Sequence, residues 1–503
     1  MPDAVIVGTG PGGLAAGVTL ARAGLRVDLY EGAAEIGGGL RTTSLFDDEI
    51  VHDICSAVHP TASASPFFRE FDLAARGVDL LTPEISYAHP LDDGPAALAH
   101  RDLDTTCDRL GPDGRRWRAL MRPLLDHSRG LTEFVLSGQR ALPRDPKALL
   151  LLARGMLAHG VPPARAFTGE PARALLTGVA AHGVGRLPSP ATAAVALLLG
   201  HLAHSAAGWP LPRGGSARIA DALAADITAH GGRFHTGRTI TDLRELGRAR
   251  AVLLDIAPKG LLQLAAGRLP ARYVRALDSF RYGPGAAKVD FLVSEPVPWT
   301  DPAVGRAGTV HLGGTQAEMF RQETRTARGL TSEEPFVLLV DPAVTDPSRA
   351  RPGRRPLWAY AHVPNGDDRD PAAAVRARIE RWAPGFGDTV LAQRSVSASE
   401  LEAYNPNYVG GDIAAGAMTL AQSVLRPTPR LDPYRTPLPG VYLCSAATPP
   451  GPGVHGMTGY LAALSALRRE FGIRTAPPLG PAEAVAFLPR GPRKGSDHGH
   501  HAG

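Results

Sequence analysis

Residues 4–31, AVIVGTGPGGLAAGVTLARAGLRVDLYE, constrain the fold of this chain more than any other stretch. Ala4–Val7 is a short apolar run of the kind that buries as a parallel strand. It runs into Gly8, Thr9, Gly10, Pro11, Gly12 and Gly13, after which small and apolar residues recur at helical spacing up to Ala23. Gly24 is placed as a helix C-cap, and Leu25–Tyr30 reads as the next strand. In such a unit Gly8 permits the tight turn and Gly10 lets the backbone approach a pyrophosphate. Gly13 allows close helix–strand packing, and the helix N-terminus faces the negative charge. Glu31 follows 18 residues after Gly13, where a carboxylate can accept from ribose hydroxyls and repel a 2′-phosphate. The stretch predicts a dinucleotide site that disfavours NADP.

At 503 residues, 44% apolar and 20% charged, the chain can bury a large core and is expected to form two lobes. The reading predicts no secretory leader and a cytoplasmic protein. No apolar run reaches membrane-spanning length uninterrupted: ATAAVALLLGHLAHSAAGW at 191–209 is broken by Gly200 and carries His201 and His204. Three scattered cysteines, Cys55, Cys107 and Cys444, without a CxxC pair argue against a dithiol redox centre or a zinc site. The net charge of +5 is dispersed, which gives nucleic acid no basic stripe to bind. Only four basic residues are lysines, at 147, 259, 288 and 494.

Along the chain, residues 1–75, 205–262 and 431–475 read as three pieces of one nucleotide lobe. RAVLLDIAP at 250–258 is expected as one of its parallel strands. Residues 76–204, mainly helical and apolar, and 263–430, mixed strand and helix, read as a second lobe. The Pro- and Gly-rich stretch 476–503 is expected to be a disordered tail, with no metal role for His498, His500 and His501. Deleting 478–503 is expected to leave flavin content and melting temperature nearly unchanged.

Two further glycine clusters decide the cofactor. Gly37, Gly38 and Gly39 offer a second close backbone approach, and Arg41 can meet a phosphate. An NAD site does not need this element, whereas FAD threading between two lobes does. Gly451, Gly453, Gly456 and Gly459 open the last helix, whose N-terminus can stabilise charge on a reduced flavin.

The segments VIVGTGPGGLAAGVTLARAG, GGGLRT, HDICSAVHP, FRYGPGAAKVDF, NPNYVGGDIAAGAMTLAQ and YLCSAATPPGPGVHGMTGY occur in this order. Together they resemble the phytoene desaturase-type (phytoene dehydrogenase-like) FAD-dependent oxidoreductases. Within that class they are most similar to the branch named after a pyridine nucleotide-disulfide oxidoreductase domain. The resemblance runs from about residue 3 to 472 and implies an α/β fold. A glutathione-reductase-like, Rossmann-type FAD-binding lobe would interleave with an α+β substrate lobe, as in flavin amine oxidases and phytoene desaturases. It implies that Gly8, Gly10, Pro11, Gly12, Gly13, Glu31, Gly38, Gly39 and Arg41 hold the ADP and pyrophosphate part of FAD. Gly453, Val454, His455, Gly456 and Met457 would lie near the isoalloxazine.

Lys288 resembles the strand lysine that related amine oxidases place near flavin N5, and is otherwise a strand-surface lysine. His455 is a candidate acid/base or flavin polariser, or else a histidine bonded to backbone. His52 and His59, near the flavin, are candidates for substrate contact or else structural histidines, and Cys444 reads as a small buried residue. The expected activity is removal of two electrons from a C–C or C–N bond of a small lipophilic substrate. Electrons would pass to oxygen, a quinone or a protein, with room for peripheral membrane contact. Amine oxidase and carotenoid-ketolase activities are the enzymatic alternatives. A binder of prenylated partners, like the GDP-dissociation inhibitors, is the redox-inert one.

Overall fold

A computed structural model of the protein describes residues 1–138, 143–161 and 167–481. In chain order the strands that frame the molecule begin with β1 (Ala4–Val7), β2 (Val27–Tyr30), β3 (Thr42–Asp47) and β4 (Ile50–Asp53). There follow β5 (Ile85–His89), β6 (Ala97–His100), β7 (Arg233–His235), β8 (Ala251–Leu254) and β9 (Gly285–Val293). The series ends with β10 (Val310–Leu312), β11 (Val337–Val340), β12 (Arg355–Val363), β13 (Val390–Val396) and β14 (Val441–Leu443). The helices that matter for the site are α1 (Pro11–Arg22), α2 (Pro146–Gly160), α3 (Pro190–Ala203), α4 (Ala217–Ala229) and α5 (Met457–Glu470).

Five short strands form an all-parallel sheet in the order β14-β8-β1-β2-β7. β1 lies at its centre and is apolar and buried at every position, as a strand covered on both faces must be. Helix α1 packs on this sheet between α4 and α5. Its crossing with α5 is close because Gly459 faces Gly12 and Ala16: a Cβ on Gly459 would lie 1.8 Å from the Gly12 carbonyl oxygen. Gly459 therefore sits inside α5 as a packing residue, not in the loop that opens it.

The second sheet has seven strands in the order β13-β9-β12-β11-β10-β5-β6, antiparallel except where β10 meets β5. Its longest strand pair is β9 with β12, in a nine-residue register that sets Lys288 opposite Tyr360 and Asp290 opposite Trp358. On β11, Leu338 and Val340 stand opposite Tyr360 and Trp358. Paired residues point to the same side of a sheet. Lys288, Asp290, Tyr360, Trp358, Leu338 and Val340 thus share one face, and it looks toward the helices α2 and α3.

The expected disorder from residue 476 does not hold for the first residues of that stretch. Leu479 is fully buried in the core of the nucleotide lobe with Phe68 and Phe71. Arg22 donates to the carbonyls of Pro478 (3.0 Å) and Gly480 (2.8 Å), Arg76 donates to that of Leu479 (2.9 Å), and the Leu479 N–H bonds Glu70 (3.1 Å). One apolar side chain and four hydrogen bonds outweigh a composition that reads as low complexity. Deleting 478–503 is therefore expected to destabilise the protein. The single change Leu479→Ala should cost about 2–4 kcal/mol in chemical denaturation, the usual range for a buried leucine. Residues 482–503, including the three clustered histidines, lie outside the described residues.

Candidate active site

The glycine turn between β1 and α1 is ordered by bonds that can be counted donor by donor. Gly8 N–H donates to Tyr30 O (2.8 Å) and Thr9 N–H to the Glu31 carboxylate (3.0 Å). Leu14 N–H donates to Gly10 O, and Gly13 N–H to Oδ2 of Asp255 (2.9 Å), the residue that follows β8. Pro11 has no N–H to offer. The Gly12 N–H, in the first turn of α1, is left without a protein partner among the described residues, and Gly12 lines the main cavity. A free donor at a helix N-terminus is what a phosphate oxygen requires.

Glu31 closes the turn from the other side. Its carboxylate accepts from Thr9 Oγ1 (2.6 Å) and the Ala33 N–H (3.0 Å), and it pairs with Arg41 (3.2 Å). Arg41 is itself held by Glu35 O (3.0 Å) and lines the same cavity. Gly38 packs on Gly10 so closely that a Cβ would stand 3.0 Å from the Gly10 Cα, and a Cβ on Gly39 would meet the Tyr408 hydroxyl at 2.5 Å. The two glycine clusters thus form one cradle of bare backbone.

That cradle opens into a continuous cavity of about 1330 Å³. This exceeds the ~300–1,000 Å³ of an ordinary single-ligand pocket. One end is lined by Gly8–Gly12, Glu31, Gly38, Gly39, Arg41 and Asp255. The middle is lined by Cys55–Thr61, Ser445, Ala446 and Pro452–Val454, and the far end by α2, α3 and the sheet face carrying Trp358 and Tyr360. The first two parts suit an extended dinucleotide, and the third lies beyond them.

Of the two candidate catalytic residues, neither lines the cavity. Lys288 is buried and its ammonium is paired with both oxygens of Asp290, 5.8 Å from the centre of the Trp358 ring. Burial pulls this ammonium below its ordinary value, against the Asp290 carboxylate that sustains the charge. It is not a surface lysine. It lies behind the wall that Cys55 and Trp358 present to the cavity, where its charge still acts on the Cys55 thiol. His455 donates from Nε2 to Gly451 O (3.1 Å) and accepts at Nδ1 from the Met457 N–H (3.1 Å). With burial pushing it down to about 4, it is a neutral ring that fixes the loop preceding α5. That loop uses positive φ at Gly451 (111°), Gly453 (127°) and Gly456 (68°), conformations open to glycine.

His59 lines the cavity and bonds Ser216 Oγ (2.8 Å), and burial lowers it to about 4. His52 bonds the Phe291 carbonyl (3.1 Å) beside Asp290. Cys444 is buried at the end of β14. Sequence reasoning missed three lining groups. Asp255 lay inside a quoted strand. Asn407, in the quoted segment NPNYVGG, bridges Ala257 N–H (2.8 Å) and Asp255 O (3.0 Å). His182 lines the far end of the cavity and hydrogen-bonds His311 at 2.8 Å.

Residues 6–71 match the family model of an NAD(P)-binding Rossmann-like domain. The chain is 25% identical to the mouse protein called pyridine nucleotide-disulfide oxidoreductase domain-containing protein 2, over 92% of each chain. It is 26% identical to the phytoene dehydrogenase of Streptomyces griseus, over 77% of each. Among solved structures, a putrescine oxidase variant superposes with a TM-score of 0.58 at 17% identity, covering 94% of this chain and 99% of that one. These relatives are oxidoreductases, which gives the redox-inert alternative no support. The chain is an FAD-dependent oxidoreductase that is similar over most of its length to phytoene dehydrogenase and carries the fold seen in putrescine oxidase.

Proposed function

We propose that this enzyme takes two electrons from a C–C bond of a lipophilic substrate held between α2, α3 and the seven-stranded sheet. The observation that carries this reading is the lining of the far end of the cavity. Helix α2 contributes Leu149, Leu152, Ala153 and Met156, and α3 contributes Ala191, Ala194, Val195, Leu198 and Leu199. Both sets follow the three–four spacing of a single helix face, and every member is apolar. Leu338, Val340 and Ile413 extend the same surface. FAD, when bound, supplies the two-electron acceptor; the chain supplies pose, charge and exclusion of water.

In this reading Gly12, Arg41 and the Gly38–Gly39 backbone hold the pyrophosphate end, and Gly453 and Val454 border the reactive ring. Lys288 is a positioning residue whose buried charge biases the wall facing the ring, and His455 keeps the loop in shape. Electrons leave to oxygen, a quinone or a protein; fast recovery in air marks oxygen as the acceptor, and slow recovery one of the other two. The helix Leu420–Leu425 supports entry from a lipid surface: Leu420 and Val424 line the cavity while remaining 47% and 42% exposed. Among the described residues no helix is long and apolar enough to cross a membrane, so such contact would be peripheral.

Ala194→Phe places a ring in the substrate end and leaves the glycine cradle untouched. We expect kcat/KM for a long apolar substrate to fall about tenfold or more, the scale of 1–3 kcal/mol for a misfitted pocket. FAD content should stay at the unmodified level. Unchanged kcat/KM would place the substrate elsewhere.

A further inference from the structure

The carboxyl of Asp255 sits directly under the glycine turn. Oδ2 accepts the Gly13 N–H at 2.9 Å. A Cβ on Gly10 would come within 2.7 Å of Oδ2, and one on Gly12 within 3.0 Å of Oδ1. The carboxyl is therefore fitted to the bare backbone of the turn. Its own carbonyl is fixed by Asn407, and the residue lines the cavity beside the free Gly12 N–H. This is the helix end to which a pyrophosphate is drawn. Two anions cannot share one helix terminus without cost.

Among the described residues, the groups facing this carboxyl offer no compensating cation. The first turn of α1 brings glycine and proline only. From β2 comes Glu31, a like charge, whose partner Arg41 is already engaged. From the end of β14 comes Cys444, a thiol that burial keeps protonated, and from α5 the hydroxyl of Thr458. The segment before Tyr408 brings the Asn407 amide. Lys259, at the start of the helix after β8, is paired with Glu402. Burial, reinforced by Glu31 and opposed by the N–H groups of Gly13 and Gly10, pushes the Asp255 carboxyl up to about 7.

We propose that Asp255 is a proton-linked cap of the FAD site, which takes up one proton from solvent when the diphosphate of FAD occupies the glycine turn. The proposal rests on FAD binding at the turn and not on the substrate reading. Linkage then ties affinity to pH: binding that takes up a proton weakens about tenfold per pH unit once the free carboxyl is ionised.

The test is calorimetric titration of FAD into flavin-free protein between about pH 6 and about pH 9, in buffers of different ionisation heat. Proton uptake should rise from near zero toward one per FAD across this range, with Kd rising about tenfold per unit at its upper end. In Asp255→Asn, uptake should vanish and Kd should be flat, which also separates Asp255 from the flavin's own ionisation. No uptake in the wild-type protein, equal uptake in the variant, or no FAD binding at all would each overturn the proposal. The wild-type titration decides alone where the variant fails to fold. No substrate enters the experiment, so failure of the substrate reading leaves its outcome unaffected.

Discussion

Lys288→Met is expected to destabilise the protein by about 3–5 kcal/mol, the cost of leaving one partner of a buried ion pair uncompensated. Asp290 would lose its cation at a site that is 3% exposed, with the neutral His52 and the apolar face of the sheet around it. The double change Lys288→Met and Asp290→Leu removes both charges and should recover most of that loss. The pair of variants therefore separates structure from chemistry. If the ammonium biases the wall beside the reactive ring, the double variant will fold and bind FAD. Its substrate-driven reduction or its reoxidation will still be slower, by about tenfold, the rate equivalent of roughly 1.4 kcal/mol of lost charge bias in the barrier. Stopped-flow rates at several pH values give the readout. A double variant with wild-type rates would reduce Lys288 to a structural role.

Glu31→Arg should weaken FAD binding by about 100-fold or more, seen as near-complete loss of flavin from the purified protein. The carboxylate accepts three hydrogen bonds around the turn and pairs with Arg41. Hydrogen bonds to a charged group contribute about 1.5–3 kcal/mol each. An arginine there would release Thr9 and Ala33 and repel Arg41. Glu31→Gln keeps one acceptor oxygen without the charge and should fall between the two. Unchanged flavin content in Glu31→Arg would remove this residue from the cofactor site.

The parts of the fold legible in the sequence are those fixed by local geometry. The turn at Gly8–Gly13 needs glycine because the backbone itself must approach a ligand and a neighbouring strand, so spacing alone exposes it. The strand around Val252 reads equally plainly, as a continuous apolar run. What escaped depends on partners far along the chain. Asp255 reads as a residue between a strand and the next helix, but its hydrogen-bond partner lies 242 residues away at the start of α1. Lys288 and Asp290 are two apart, hence on one face of a strand, yet which neighbours they meet follows from the register with β12. Gly459 looks like part of a glycine-rich loop, and only the crossing with α1 explains it. Leu479 was hidden by the proline and glycine around it, because composition averages over a stretch while burial is decided by one side chain.

The most direct test of the central claim is anaerobic mixing of the FAD-loaded protein with two panels, long apolar alkenes and primary amines, while the visible flavin band is followed. The account predicts a protein that is yellow as purified or after reconstitution, and bleaching by members of the apolar panel. Bleaching by amines alone would contradict the C–C reading, and a protein that cannot hold FAD would contradict the account as a whole.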